Sequence, residues 1–521
     1  MWTKDALQEL IQSKLEGRRL ILVANREPYL HRFVGGKIEC VPPASGMVSA
    51  LEPIMRACGG VWVAHGSGNA DRRTADAAGR LQVPPDDPQY TLRRVWLTKD
   101  QEEGYYNGAA NGGLWPLCHM VFCRPLFNPK HWPMYRRVNE IFAKAVLEEA
   151  GNEPAFVFIQ DYHFALLPRI LKESSKANLI VAQFWHIPWP NPDAFQTFPW
   201  KEELLDGLLG NDLLGFHLRY HCQNFLNTVD RTIEAKIDYE RFDVTRGGKE
   251  TIVRPFPISI DFAAHDKMAQ SSKVDREMEH WITQLGLSTR LPATPWETKK
   301  VEGGEAIGIG IDRIDYTKGI PERLRALDRF LEKYPAYQER LVFIQIGVPS
   351  RTHVSRYQLF DDEIDGLIEE LNWKWSTESW KPIIYLKSQH NQVQMMALHR
   401  LADFCMVNAL DDGMNLVSKE FVASRFDDDG VLILSRFTGA ARELKEAVLV
   451  NPYAIDETAE AIRQALEMPA DERRKRMQRL RGVVADHNIY RWAGKYLSTL
   501  FNFEFPEAGA VRNGLELAAT V

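Results

Sequence analysis

The segment Ala409-Leu-Asp-Asp-Gly-Met-Asn-Leu-Val-Ser-Lys-Glu-Phe-Val-Ala423 joins an acidic Gly turn to the start of a helix, with Glu420 early in that helix. The first turn of a helix leaves its N–H groups without intrahelical acceptors, and the helix dipole favours an anion there. Backbone N–H groups from Asn415 to Val417 can therefore point at phosphate oxygens, with Asp412 placed for sugar hydroxyls and Glu420 for a ribose diol. Such an arrangement suits a nucleotide-sugar diphosphate. An ordinary capped helix after an Asp-Gly turn uses the same residue types, so the segment gains its meaning from what accompanies it.

Those residues need elements to position them. Short apolar runs at 19–24, 61–64, 155–160 and 179–185 read as buried strands. A Gly-containing loop follows the first, and helical patterns cover 46–58 and 164–172. A second series of strands runs 305–311, 340–346, 382–386, 404–408, 431–434 and 447–450, again separated by helical patterns. Strands alternating with helices predict two open, mostly parallel α/β sheets. The polar, Pro-containing stretch 264–304 reads as a linker, and the tail after Phe505 lacks periodicity.

Ligands of doubly wound sheets bind beyond the carboxyl ends of the strands. Asn25-Arg26, Asp161-Tyr-His163, His186-Ile-Pro-Trp-Pro190, Asp312-Arg-Ile-Asp-Tyr-Thr-Lys-Gly319 and Pro349-Ser-Arg351 each follow a strand. One Arg at a strand end is commonly structural. Five strand ends carrying charged or imidazole groups are harder to explain by packing alone.

At 521 residues the chain is too long for one ordinary core. Its 64 basic and 70 acidic residues give a net charge of −6, which argues against a general nucleic-acid binder. Six cysteines, at 40, 58, 118, 123, 222 and 405, lack metal-ligand spacing and are too sparse for a disulfide framework. They predict reduced, buried thiols and a cytoplasmic protein. No early apolar run is long enough for a signal or a membrane span. The composition argues against nucleic-acid and membrane partners, while the nucleotide-sugar reading of 409–423 implies small-molecule substrates; a homo-oligomer stays open.

Asn25-Arg26, Tyr105-Tyr-Asn107 with Leu114-Trp-Pro116, Asp161-Tyr-His163, His186-Ile-Pro-Trp-Pro190, Leu213-Leu-Gly-Phe216, Asp312 to Gly319, Asp412-Gly-Met-Asn-Leu-Val417 and Asn451-Pro-Tyr453 occur in that order. Taken together, they resemble the trehalose-6-phosphate synthase family of retaining glycosyltransferases. The resemblance implies a GT-B fold of two Rossmann-like domains facing across a cleft. An acceptor domain would span 1–263, a linker 264–304 and a nucleotide-sugar domain 305–484. A final helix within 485–521 would cross back to the first domain.

The reaction implied is glucose transfer from UDP-glucose to glucose 6-phosphate with retention, and no covalent enzyme nucleophile. Residue by residue, the resemblance assigns Arg313 and Lys318 to the diphosphate. Gly46, Asp412, Gly413, Met414, Asn415, Leu416, Val417 and Glu420 complete the donor contacts. Asp161 and His186 would lie beside the transferred sugar, and Arg26, Tyr106, Trp115, Asp161 and Arg351 would hold the acceptor. Two arginines suit a phosphate because a guanidinium offers paired donors and keeps its charge. Cations at the leaving diphosphate can replace a divalent metal, so neither a metal nor a cofactor is expected.

Some features depart from the family pattern. Ser45-Gly46 stands where Gly-Gly is common, and Asp411 where an Arg is usual. The loop Arg26-Glu-Pro-Tyr29 resembles glucosylglycerol-phosphate synthases, which makes glycerol 3-phosphate the competing acceptor; pseudo-glycosyltransferases and sugar-phosphate sensors share the same fold. Gly308-Ile-Gly310 lacks the third Gly of a dinucleotide fingerprint, position 313 being Arg. Asp427-Asp-Asp429 contains an Asp-x-Asp pattern but precedes a strand, and reads as a solvated turn.

Overall fold

The computed structural model describes residues 2–41, 46–175, 178–287, 305–351 and 354–505. The chain divides into two compact units: an N-terminal unit of Trp2–Pro257 with the chain from Tyr490 onward, and a C-terminal unit of Ile258–Ile489.

The N-terminal unit is built on β1 (Arg19–Arg26), whose apolar residues from Leu20 to Ala24 are fully buried, as an interior parallel strand requires. A hairpin of β2 (Leu30–Val34) and β3 (Lys37–Val41) follows where the sequence suggests only a Gly-containing loop. Its turn is Gly35-Gly36, with φ of 55° and 81°, the positive values that a two-residue hairpin loop needs. The hairpin escapes the sequence pattern because its strands are only five residues each and largely exposed.

The other strands of this unit are β4 (Val61–His65), β5 (Arg80–Val83), β6 (Tyr90–Val95), β7 (Ala155–Gln160), β8 (Leu179–Phe184), β9 (Leu213–Phe216), β10 (Lys236–Asp238), β11 (Asp243–Arg246) and β12 (Lys249–Pro255). They form one sheet in the order β10-β11-β12-β9-β8-β7-β1-β4-β6-β5. The run from β12 to β6 is parallel, and antiparallel strands close both edges. The order reverses between the neighbours β1 and β7, so the loops after these two strands open a crevice at a topological switch point. The helix Ile489–Leu500 packs on this sheet through Tyr496, whose ring lies 4.5 Å from Phe158 and 4.8 Å from Phe256.

The C-terminal unit holds β13 (Ala306–Arg313), β14 (Leu341–Val348), β15 (Ile383–Leu386), β16 (Phe404–Val407), β17 (Val431–Ser435) and β18 (Val448–Val450). The order β15-β14-β13-β16-β17-β18 is entirely parallel and is that of a dinucleotide-binding sheet, with its switch point between β13 and β16. The glycines of β13 serve packing. A Cβ on Gly308 would strike the Phe404 and Phe343 rings, and one on Gly310 the Arg323 guanidinium.

Part of the stretch expected to be a linker is instead helical. Phe262–Ala269 and Ser272–Gln284 form two helices of the C-terminal unit, because Val274, Met278, Trp281 and Ile282 supply an apolar face at helical spacing. Residues 288–304 of the expected linker, Ser45, and the tail from 506 lie outside the described residues.

Candidate active site

In the C-terminal unit, the loops leaving β13 and β16 meet at the switch point. Gly319, at φ +65°, carries the chain from the turn Tyr316–Lys318 into the helix Ile320–Lys333. A Cβ there would collide with the Asn408 carbonyl, so Gly is what lets the two loops close together. Leu410 N–H then donates to the Thr317 carbonyl at 2.8 Å. Across this junction Lys318 Nζ reaches Asp412 Oδ2 at 2.7 Å, joining two residues that lie 94 apart in the chain.

Asp412 also shapes the turn below it. Its Oδ1 accepts from Met414 N–H at 3.2 Å, and its Oδ2 accepts from Asn415 Nδ2 at 3.3 Å. Asn415 is the N-cap of the helix Leu416–Ser424, its Oδ1 accepting from Ser418 N–H at 2.8 Å. The N–H groups of Leu416 and Val417, at the first two helical positions, have no intrahelical acceptor. Glu420 keeps part of its surface exposed, yet desolvation pushes its carboxyl up to about 7.

Sequence reasoning left Asp315 without a role. This residue is fully buried, accepting from Thr317 N–H at 3.1 Å, Thr317 Oγ1 at 3.0 Å and Arg351 Nη1 at 3.1 Å. Burial alone would raise its carboxyl pKa. The Arg351, Arg313 and Lys318 charges, helped by Thr317, overcome that and hold it below the usual carboxylate range. The three cations singled out in this unit thus act on one buried carboxylate. Arg351 itself has φ +51°, a left-handed backbone that is uncommon outside Gly, Asn and Asp. Its guanidinium is fixed further by the Tyr357 hydroxyl. Of the strand-end signals, the short spacing between Arg313 and an Asp in the same loop was the available clue.

In the N-terminal unit, Arg26 ends β1 where the register against β4 shifts between Val23 and Arg26, and remains half-buried. Gly46 begins the helix Gly46–Cys58. Asp161 ends the neighbouring β7 with φ 71° and ψ 176°, a conformation close to Gly-only, which for an Asp costs on the order of 1–3 kcal/mol. Contacts with the adjacent strand end enforce it. Asp161 N–H donates to the Phe184 carbonyl at 2.7 Å, Gln183 Nε2 donates to the Asp161 carbonyl at 2.9 Å, and Asp161 Oδ1 accepts from His186 N–H at 3.1 Å. Asp161 offers no side-chain helix cap.

The His186 ring faces Gln160 Oε1 at 2.9 Å through Nε2, and desolvation lowers its pKa to about 3. The imidazole is therefore neutral near pH 7. Gln160, buried at the end of an apolar strand, escaped the sequence reading.

The segment Glu103–Leu114 winds as a π-helix rich in Gly, Ala and Asn. Gly104 admits the Met134 side chain and Gly108 the His131 ring. Within it, the Tyr105 hydroxyl donates to Asn25 Oδ1 at 3.1 Å, and Tyr106 stacks on His163 with centroids 5.5 Å apart. Trp115 is 6% exposed, its ring 4.2 Å from His119 and 5.9 Å from Tyr162, so it presents little surface to a ligand.

The acidic run 427–429 is a turn that stays partly exposed, and its carboxylates are paired with arginines. Asp427 pairs locally with Arg425 at 2.9 Å, while Asp428 meets Arg481 at 3.3 Å and Asp429 meets Arg473 at 2.6 Å, both from the basic helix Ala470–Asp486. Among the described residues, no three His, Cys, Asp or Glu side chains are grouped to hold a metal ion. All six cysteines are free thiols, three of them buried and Cys40 exposed where burial was expected, because it lies on the exposed hairpin.

Comparison with known proteins places these features. A trehalose-6-phosphate synthase of Mycolicibacterium vanbaalenii is 35% identical over 501 residues, covering 95% of this chain and 98% of that protein. A bifunctional trehalose-6-phosphate synthase/phosphatase of Thermoproteus tenax is 35% identical over 495 residues, 93% of this chain, which spans 64% of that longer relative. An E. coli structure bound with UDP-2-fluoro glucose superposes with a TM-score of 0.81 at 29% identity, covering 94% of this chain and 100% of the other. An alpha,alpha-trehalose-phosphate synthase (UDP-forming) from Burkholderia xenovorans in complex with glucose-6-phosphate does so at 0.81 and 26% identity, covering 92% and 99%. These likenesses give the chain the GT-B fold. The profile of glycosyltransferase family 20 matches residues 18–502, through both switch points and on to the C-terminal helix, and the chain belongs to that family.

Proposed function

We propose that this enzyme transfers glucose from UDP-glucose to glucose 6-phosphate with retention, forming α,α-trehalose 6-phosphate and UDP. The observation that carries the reading is the C-terminal switch point, where Lys318 and Asp412 meet at the first turn of the helix Leu416–Ser424, whose Leu416 and Val417 N–H groups have no intrahelical acceptor. A diphosphate needs cations and free N–H groups together. Both lie within one loop junction, in a family whose solved relatives hold a UDP-sugar analogue or glucose-6-phosphate.

In the proposed reaction the acceptor hydroxyl attacks the anomeric carbon from the face that UDP leaves. The bond from that carbon to the UDP oxygen breaks, a bond to the acceptor oxygen forms, and the hydroxyl proton passes to a phosphate oxygen. Arg313 and Lys318 stabilise the charge that builds on UDP. Neutral His186 and Asp161 orient the sugar, while Arg26 and Arg351 are each assigned to the acceptor phosphate. The free thiols suit a reducing cytoplasm.

Turnover of UDP-glucose with glucose 6-phosphate, glycerol 3-phosphate and unphosphorylated glucose tests the reading. Glucose 6-phosphate should be converted with α configuration at both anomeric centres. Preference for glycerol 3-phosphate would replace the acceptor, and equal use of free glucose would remove the phosphate site. Because protein cations are assigned to the diphosphate, activity should persist in excess EDTA; loss restored by Mg²⁺ or Mn²⁺ would overturn that assignment.

A further inference from the structure

Behind the turn that follows Arg26 lies a buried charge cluster that the proposed reaction does not use. Arg94 of β6 is fully buried and commits all five of its N–H donors. Nε donates to Glu27 Oε2 at 2.8 Å. Nη1 donates to the Asp71 carbonyl at 3.0 Å and to Thr74 Oγ1 at 2.8 Å. Nη2 donates to the Tyr29 carbonyl at 2.9 Å and to His31 Nδ1 at 2.8 Å, with Asp71 Oδ1 also 3.0 Å away. Glu27, 2% exposed, accepts from Ser67 N–H at 3.0 Å through its other oxygen. Since a guanidinium cannot accept, His31 receives at Nδ1 and is neutral. Glu27 directly follows Arg26, and Tyr29 ends the same turn. The cluster therefore grips both ends of the backbone that carries Arg26.

We propose that Arg94 and Glu27 are positioning residues for the acceptor phosphate, holding the turn after Arg26 so that the Arg26 guanidinium reaches that phosphate. The inference rests on the reading of Arg26 as an acceptor contact.

The charge count makes the device sensitive to pH. Two carboxylates, Glu27 and Asp71, share one guanidinium. Burial, followed by the hydrogen bond with Asp71, pushes the Glu27 carboxyl up to about 8, so near pH 7 it keeps its proton and the cluster is neutral. The other titratable groups around it are His31 of β2 and His65 of β4, whose pKa values desolvation lowers, and the exposed Cys40 thiol of β3, whose pKa partial desolvation raises. Glu52 and Arg56 connect only through the Tyr29 hydroxyl. Above pH 8, ionised Glu27 opposes Asp71 inside the cluster, and the turn loosens. The acceptor phosphate is already doubly ionised across this window, its second pKa being about 6.

The test measures apparent KM for glucose 6-phosphate and for UDP-glucose in wild type, Arg26→Ala, Glu27→Ala and Glu27→Gln, from pH 6.5 to about 9, as a window spanning the Glu27 titration. Glu27→Ala should raise the acceptor KM about tenfold at pH 7, a cost typical of small misplacement, and leave the UDP-glucose KM within about twofold. In wild type the acceptor KM should climb above pH 8, while in Glu27→Gln, the isostere of the protonated acid, it should stay low and flat. An acceptor KM unchanged in Glu27→Ala although Arg26→Ala raises it overturns the inference alone, as does an equal rise for both substrates. No acceptor effect in Arg26→Ala overturns the underlying reading and the inference with it. Should Glu27→Ala fail to fold, the pH profile of Glu27→Gln decides: a climb above pH 8 matching wild type overturns the proposal.

Discussion

Asp315 Oδ2 and Arg351 Nη1 lie 3.1 Å apart, and the side chains are 0% and 5% exposed. Asp315 shares its loop with Arg313 and Lys318, the residues assigned to the donor diphosphate, whereas Arg351 is assigned to the acceptor phosphate. One buried carboxylate therefore supports cations proposed for both substrates. Removing one partner of such a pair leaves an uncompensated buried charge, typically at about 3–5 kcal/mol. Asp315→Asn should lower stability by roughly that amount at pH 7 and raise the acceptor KM, readable by urea unfolding and steady-state kinetics. The folded pKa is depressed below the ordinary aspartate value of 3.8, so this stabilisation is present above about pH 4 and is lost as pH falls through the folded value. The stability difference between wild type and Asp315→Asn should accordingly shrink below pH 3.8; a difference that stays constant in acid would dismiss the ion pair as its origin.

The charged strand ends were legible in the sequence because they follow from two local patterns, an apolar run and the polar loop that ends it, while the strand order that makes two of them switch points was not. Arg313, Lys318 and Asp412 were found that way. Asp315 was not, because an Asp inside a loop of charged residues gives no sign of being buried; its burial depends on Arg351 arriving from the next strand. The same limit hid Arg94, which sits in the ordinary-looking β6 and is committed to partners on three other segments. The helices at 262–284 were hidden by their polar faces, and the pairing of the turn at 427–429 was hidden because Arg473 and Arg481 are distant in sequence.

Arg313→Ala and Lys318→Ala should each reduce turnover on the order of a hundredfold or more, the scale for losing one charge-stabilising group at a leaving oxyanion. A modest drop in thermal midpoint is expected for Arg313→Ala, because its charge helps hold the buried Asp315 carboxylate ionised. Lys318→Ala also frees Asp412 from its 2.7 Å partner, so a modest loss of stability is expected there. Folded variants with near-normal rates would remove both residues from the diphosphate.

Glu420, proposed for the donor half-site, carries a pH signature of its own. Its folded pKa is raised from 4.5 to about 7 by desolvation, so between those values the unfolded chain releases a proton that the folded chain keeps. Stability contributed at this position therefore falls as pH rises from about 4.5 to 7 and stays low above it. Glu420→Gln, which cannot ionise, should gain stability relative to wild type at pH 8 and show no such gain at pH 4. If Glu420 also receives the ribose diol, the variant should bind uridine more weakly at pH 8 despite being more stable. Chemical denaturation and calorimetric titration separate the two effects, and unchanged uridine affinity would exclude the ribose contact.

The acceptor assignment is decided by dividing substrate effects between Arg26 and Arg351. Losing one charged hydrogen bond to a phosphate is worth about 1.5–3 kcal/mol, or on the order of ten- to a hundredfold in affinity. Arg26→Ala and Arg351→Ala should each raise the glucose 6-phosphate KM or lower turnover on that scale, with UDP affinity as the internal control. The two variants should differ in stability. Arg351→Ala strands Asp315 in a buried position, so its unfolding midpoint should drop, while half-buried Arg26 can be removed at little cost to the fold. Replacing Arg351 with Lys keeps the charge but not the guanidinium fork that reaches Asp315 and Tyr357 together, so it should recover less than full acceptor affinity. Full recovery by Lys would mean that charge alone suffices and that the geometry imposed by Asp315 is dispensable.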